Sequence, residues 1–204
     1  MKVGIIDYGA GNMGSVIQAF SALGVEVERI KDSESMAKCD KLILPGVGAF
    51  GDAIFKLRSK NMDLGILEFI KSGKYFLGIC VGMQLLFERG FEFGEHRGIG
   101  VFSGDVIRFD SQNLGPLKIP HTGWNLCRCN KEHKKFFAGL KEEFYLYFVH
   151  SYYAKAKEED ILAICDYGHV FPAIVNKENV FAIQPHPEKS DKHGLRLLQN
   201  FINL

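Results

Sequence analysis

An excess of either charge is missing from this chain. Lys and Arg number 25 against 24 Asp and Glu, for a net charge of +1, which excludes a general attraction to nucleic acid or to an anionic membrane. Long apolar runs are missing too. The longest mostly apolar stretch, 76–87, is interrupted by Gln84 and falls short of the ~20 residues a membrane-spanning helix needs. The opening segment, Met1-Lys2-Val3-Gly4-Ile5-Ile6-Asp7, holds one Lys and an apolar run that Asp7 cuts short, unlike a secretory signal. Cysteine is sparse: five residues, at 39, 80, 127, 129 and 165, form an odd set without the spacing of a disulfide framework. A cytoplasmic chain with reduced thiols is the expectation, each thiol serving as core filler or as reagent. Disorder is excluded by an apolar content of 47% with 24% charged residues, and 204 residues suffice to bury a core without disulfides.

What is present reads first as an alternation. An apolar strand over 2–7 precedes a helix-period segment over 12–23, and a second strand covers 25–30. The third strand, Lys41–Leu44, is closed by Pro45-Gly46-Val47-Gly48. Helical patterning covers 52–60 and 63–71, then a fourth strand, Tyr75–Ile79, runs straight into a helix predicted over 81–88. Strands separated by helices pair in parallel with both sheet faces covered. Beyond residue 100 strands predominate, over 105–109, 124–129, Glu143–His150, 162–167, 171–176 and 180–184. One short helix near 132–138 intervenes and a final helix covers 192–204. The expected architecture is one α/β domain over 1–204. Its sheet is open, largely parallel and flanked by helices, with antiparallel additions to it, or a second small sheet, in the C-terminal half.

Two segments, Gly9-Ala10-Gly11-Asn12-Met13-Gly14 and Gly46-Val47-Gly48-Ala49-Phe50-Gly51, fit the G-x-G-x-x-G pattern of dinucleotide sites. A pattern met twice in a chain with 22 glycines reads better as tight turns at the carboxyl ends of parallel strands, where many kinds of ligand bind. A sharper signal is Gly78-Ile79-Cys80-Val81-Gly82, a thiol bracketed by glycines where a strand meets a helix. The arrangement is a nucleophile elbow with sulfur in place of oxygen. The helix start favours a thiolate at Cys80, and the N–H of Val81 would face the oxyanion formed on an attacked carbonyl. A buried core cysteine is the plain alternative.

Gln184-Pro185-His186-Pro187-Glu188 lies about a hundred residues on. Its prolines hold the segment extended, and in an extended chain residues i and i+2 face one side. Glu188 can then hold one imidazole nitrogen of His186 and stabilise the imidazolium. Nucleophile, proton carrier and orienter are all supplied.

Gly-Ile-Cys-Val-Gly-Met-Gln at 78–84, with Pro-His-Pro-Glu-Lys-Ser at 185–190, resembles the class I (triad) glutamine amidotransferases. Four further segments are similar to the glutaminase subunits of imidazole glycerol phosphate synthase, from histidine biosynthesis. They are Asp-Tyr-Gly-Ala-Gly-Asn at 7–12, Pro-Gly-Val-Gly-Ala-Phe at 45–50, Gly-Trp-Asn at 123–125 and Val-His-Ser-Tyr-Tyr at 149–153. The resemblance implies a flavodoxin-like sheet and hydrolysis of L-glutamine through a Cys80 thioester, without a cofactor. By likeness the loop of Gly46, Val47 and Gly48 supplies a further oxyanion N–H, with or without a backbone flip, while Gln84, His150, Ser151 and Tyr152 position the substrate. The released ammonia would pass to a (β/α)8-barrel cyclase, with Asn12, His121, Trp124, Tyr147 and Lys189 at or near the subunit interface and ammonia passage. The family has Phe where Pro185 stands and Met where Thr122 stands.

Three readings remain open. A partner-dependent glutaminase feeds either the histidine-pathway cyclase or, as a paralogue, another synthase such as one that amidinates a sugar. A stand-alone cysteine hydrolase of γ-glutamyl substrates would need no partner, and a scaffold subunit would not need the triad. Cys127, Cys129, His121 and His133 offer four soft ligands, but C-x-C with one flanking His on each side is not a common zinc spacing, so no metal is expected. Cys39 and Cys165 read as packing residues. The aromatic run Phe144, Tyr145, Tyr147 and Phe148 lacks basic interleaving and reads as core, not as a nucleic-acid platform.

Overall fold

Short apolar strands and amphipathic helices alternate along the first half. The computed structural model describes residues 1–112, 114–130 and 133–204. Strand β1 (Val3–Ile6) leads into helix α1 (Met13–Ala22), then β2 (Val27–Ile30) and a single turn, α2 (Ser33–Met36). Next come β3 (Lys41–Leu44), α3 (Phe50–Ser59), α4 (Met62–Lys71) and β4 (Tyr75–Ile79). Every residue of β1 and β3 is buried, as strands covered on both faces require.

The helix predicted over 81–88 is only one turn, α5 (Val81–Gln84), followed by strand β5 (Phe87–Gly90). Residues 81–87 are all buried, so no polar face marks the helix end, and apolar periodicity alone cannot separate the two states. Tertiary contact decides. Phe87 stacks on Phe102 at 5.4 Å, and β5 pairs with β6 (His96–Arg97) and β7 (Phe102–Arg108).

Strands β8 (His121–Cys129), β9 (Glu143–His150), β10 (Tyr152–Ala154), β11 (Ile161–Asp166), β12 (Val170–Lys177) and β13 (Val180–Ile183) follow, and α6 (Asp191–Ile202) closes the chain. In place of the helix expected near 132–138, residues 133–139 form a bend and turns; Glu132 lies outside the described residues. Phe136 from this segment stacks on Phe181 at 4.5 Å, so packing against β13 holds it.

The main sheet has nine strands in the order β2-β1-β3-β4-β13-β12-β11-β8-β9. The first five are mutually parallel and the last four alternate antiparallel. A second sheet, β10-β7-β5-β6, stands beside it. Both expected forms of C-terminal addition are therefore realised. The carboxyl ends of β4 and β13, neighbours in the sheet, place the two chemical segments side by side. Among the described residues no helix is long and apolar enough to cross a membrane.

Candidate active site

Cys80 sits where β4 turns into α5 with φ +55°, a left-handed conformation that is uncommon outside glycine. Its backbone N–H donates to the Ile183 carbonyl at 2.8 Å. Neighbouring glycines explain how so sharp a turn fits. A Cβ on Gly82 would run into the Leu44 carbonyl, and one on Gly46 would meet the Val81–Gly82 backbone. The elbow is thus wedged against the end of β3. Because α5 is a single turn, what it presents to the Cys80 side is the local N–H groups of that turn rather than a long helix dipole.

On the other side, His186 Nδ1 lies 2.7 Å from Glu188 Oε1, and both side chains are almost wholly buried. The second nitrogen, Nε2, makes no hydrogen bond among the described residues. Burial alone would disfavour the charged ring. Interaction with the Cys80 sulfur and with Glu188 outweighs it and raises the His186 pKa to about 10. The resting ring therefore carries the proton that a departing amine needs, and the ring's affinity for it depends on the sulfur.

Cys80 and His186 line one cavity of about 430 Å³ together with Val47, Gly48, Val81, Gln84, His150, Ser151 and Tyr152. Gly46 lies behind it, packed on α5. The root of the loop is pinned by Tyr8, whose hydroxyl donates to the Pro45 carbonyl at 3.1 Å, and Gly48 has φ +94°. Gln84 Nε2 donates to the Tyr152 carbonyl and to Gln184 Oε1, both at 3.0 Å. Both His150 nitrogens are occupied within the protein, Nδ1 on the Tyr152 carbonyl at 2.9 Å and Nε2 on His121 Nδ1 at 3.0 Å. His150 thus shapes the wall by holding the Tyr152 carbonyl.

Of the residues expected at a partner interface, Trp124 is 48% exposed, Asn12 and Lys189 are exposed and Tyr147 is half-buried. His121 differs from these four in exposure. It is 1% exposed and its ring stacks on Tyr167 at 3.9 Å and on Phe148 at 4.6 Å, because the residues of β8 alternate between faces and His121 takes the inner one. It stands behind the surface. Cys127 and Cys129 also face inward and are buried; among the described residues no group of three His, Cys, Asp or Glu is arranged to hold a metal.

Four further residues join the site, and the sequence assigns none of them a role there. Glu92 lines the cavity and accepts from the Phe50 N–H at 2.8 Å. Gln184 Nε2 lies 3.9 Å from Cys80 Sγ. Asn125 Nδ2 lies 2.8 Å from His121 Nε2. Ser190 Oγ donates to the His186 carbonyl at 2.6 Å and accepts from the Tyr147 N–H at 2.9 Å, while the His186 N–H donates to the Tyr147 carbonyl at 2.9 Å.

Known proteins are similar to this chain over its length. The family Glutamine amidotransferase class-I matches residues 4–204. The imidazole glycerol phosphate synthase subunit HisH of Helicobacter hepaticus is 47% identical over 216 residues, covering 100% of this chain and 99% of that protein. Its counterpart in Wolinella succinogenes is 48% identical, covering 99% of each, and that of Aquifex aeolicus is 48% identical, covering 98% of this chain and 96% of that one. The structure of PurLQS from Thermotoga maritima superposes with a TM-score of 0.78 at 18% identity, covering 99% of this chain and 97% of that one. A crystal structure of a glutamine amidotransferase gives 0.77 at 20%, covering 100% and 98%. At such identities the likeness is one of fold. With a family match over nearly its whole length and relatives close to half identical from end to end, the chain belongs to the class-I glutamine amidotransferases.

Proposed function

We propose that the chain is the glutaminase subunit of an imidazole glycerol phosphate synthase, acting in histidine biosynthesis, with Cys80 as its nucleophile. The observation that carries the reading is a thiol at a strained elbow that shares a cavity with a His186–Glu188 pair, in a chain whose relatives are named as subunits of that synthase. The domain spans residues 1–204, and the chain works in the cytoplasm.

Cys80 Sγ attacks the side-chain amide carbon of glutamine, and the carbonyl oxygen becomes an oxyanion. The N–H of Val81 and one from the loop of Gly46, Val47 and Gly48 stabilise it. As the C–N bond breaks, His186 Nε2 gives its proton to the nitrogen, which leaves as ammonia. His186, now neutral, takes a proton from water as its oxygen attacks the thioester. Glutamate departs and the thiolate returns. Glu188 keeps the ring oriented and stabilises its charged form. Glu92 is the cavity's carboxylate suited to the substrate ammonium, while Gln84, His150, Ser151 and Tyr152 also line the cavity.

Ammonia set free in water is protonated and lost as a nucleophile, so its acceptor must be near. The outer face of the β8–β9 pair suits a partner. Trp124, Leu126, Tyr145 and Val149 are exposed there, with Trp124 cross-strand from Tyr147; contiguous exposed apolar side chains mark interaction sites. The partner is a (β/α)8-barrel cyclase that consumes the ammonia, docked on this face with Asn12 and Lys189 nearby. The test is glutamate release by the chain alone, with the cyclase, and with the cyclase plus its acceptor substrate. Strong stimulation in the third mixture is expected. Full activity of the chain alone would favour a stand-alone hydrolase.

A further inference from the structure

The polar interior between β8 and the Tyr152 carbonyl is ordered in one donor-to-acceptor sense. The Tyr152 carbonyl bonds His150 Nδ1, and since a carbonyl only accepts, that nitrogen bears a proton. Burial holds both neighbouring rings neutral, lowering the pKa of His150 to about 3 and that of His121 to about 4. Nε2 of a neutral His150 is therefore an acceptor, and His121 Nδ1, 3.0 Å away, donates to it. His121 Nε2 is then left to accept from Asn125 Nδ2 at 2.8 Å. Each tautomer is dictated by the next group along. From the other direction Gln84 donates to the same carbonyl and to Gln184, whose amide nitrogen reaches the Cys80 sulfur.

Asn125 ends this chain on the inner face of β8, adjacent to Trp124 on the outer face. We propose that Asn125 is a positioning residue, the terminal donor of a hydrogen-bond chain that ties the partner-facing strand to the Tyr152 segment and, through Gln84 and Gln184, to Cys80. Displacement of β8 by a docked partner would move Asn125 and His121 together, and each of the two neutral imidazoles has one N–H to donate and one nitrogen to accept with. The kinetic consequence rests on the glutaminase reading of the cavity; the wiring does not.

Two variants separate these parts. Asn125→Asp sets an acceptor against an acceptor, a conflict that a second proton on His121 resolves. Asn125→Leu leaves His121 Nε2 without its donor. In the chain labelled with ¹⁵N-histidine, the wild type should show His121 and His150 protonated at Nδ1 alone, and Asn125→Asp should show His121 protonated on both nitrogens at neutral pH. In the complex with the cyclase and its acceptor, Asn125→Leu should lower kcat for glutamine roughly 3- to 30-fold with KM near the wild-type value. Wild-type rings protonated at Nε2, or an Asp variant whose His121 keeps one proton, would overturn the wiring. An unchanged kcat in Asn125→Leu, with the wild type active, would overturn the coupling. If the wild-type complex hydrolyses no glutamine, the glutaminase reading falls and takes the kinetic half of the proposal with it, while the nitrogen resonances still decide the other half.

Discussion

Cys80 leaves the end of β4, an interior strand flanked by β3 and β13, whereas His186 caps a single 3-10 turn, Pro187–Lys189, where an extended segment was expected, and is bonded to the sheet's edge strand, β9. The nucleophile is held by backbone contact: a positive φ, a hydrogen bond to Ile183 and glycines that admit no Cβ. The proton carrier is held by its own N–H on the Tyr147 carbonyl and by Ser190, whose hydroxyl bridges the His186 carbonyl and the Tyr147 N–H, on a strand with an exposed outer face. One half of the reaction centre is thus fixed by the core, and the other is open to influence from a bound partner. An enzyme that must not release ammonia without an acceptor has reason to put its control on the second half.

The comparison can be broken at either end, and the largest effect is expected at the proton carrier. His186→Ala should lower partner-stimulated glutamine hydrolysis by ~10²–10⁴-fold. Glu188→Gln should cost less, since packing still orients the ring. Equal and negligible losses, with cyclase and acceptor saturating, would make the 185–190 segment purely structural. At the fixed end, Gly82→Ala forces a Cβ against the Leu44 carbonyl. Overpacking of this kind costs about 1–3 kcal/mol, read as a lower denaturation midpoint, and it should also slow alkylation of Cys80. A variant with wild-type midpoint and thiol reactivity would show that contact with β3 does not set the elbow. The smallest effect belongs to Ser190→Ala, which removes the bonds to the His186 carbonyl and the Tyr147 N–H. Each contributes about 0.5–1.5 kcal/mol net. Stimulation by the cyclase should fall more than the stability does; loss of stability alone would mean that Ser190 only staples the segment.

The same division governs what can be read from the amino acids. β3, β4 and β9 are bounded as their apolar runs predict, because each begins and ends at a change of polarity or a turn. Cys80, His186 and Glu188 are legible because their chemistry is local, a glycine bracket and a His-Pro-Glu run, although a 3-10 turn at Pro187–Lys189, not an extended chain, brings His186 and Glu188 together. Of the second sheet only β7 is legible, as the strand expected over 105–109. β6 has two residues and β10 three, too few for alternation to register, and β5 hides in an apolar run that continues from α5. Glu92, Gln184, Asn125 and Ser190 acquire their roles only when β8, β9, β13 and the 91–93 segment meet around the cavity. Likeness sets His121 at or near the interface or ammonia passage, and the alternation of β8 puts it on the inner face.

The central claim is that one thiol of five is the nucleophile, and chemical labelling tests it most directly. All five cysteines are buried, so exposure alone offers no ready choice among them, but only Cys80 shares a cavity with a protonated His186. A glutamine-analogue electrophile, applied to the complex with the cyclase and mapped by mass spectrometry, should modify Cys80 and leave Cys39, Cys127, Cys129 and Cys165 intact, and excess glutamine should slow the labelling. Modification of another cysteine with Cys80 untouched would contradict the account.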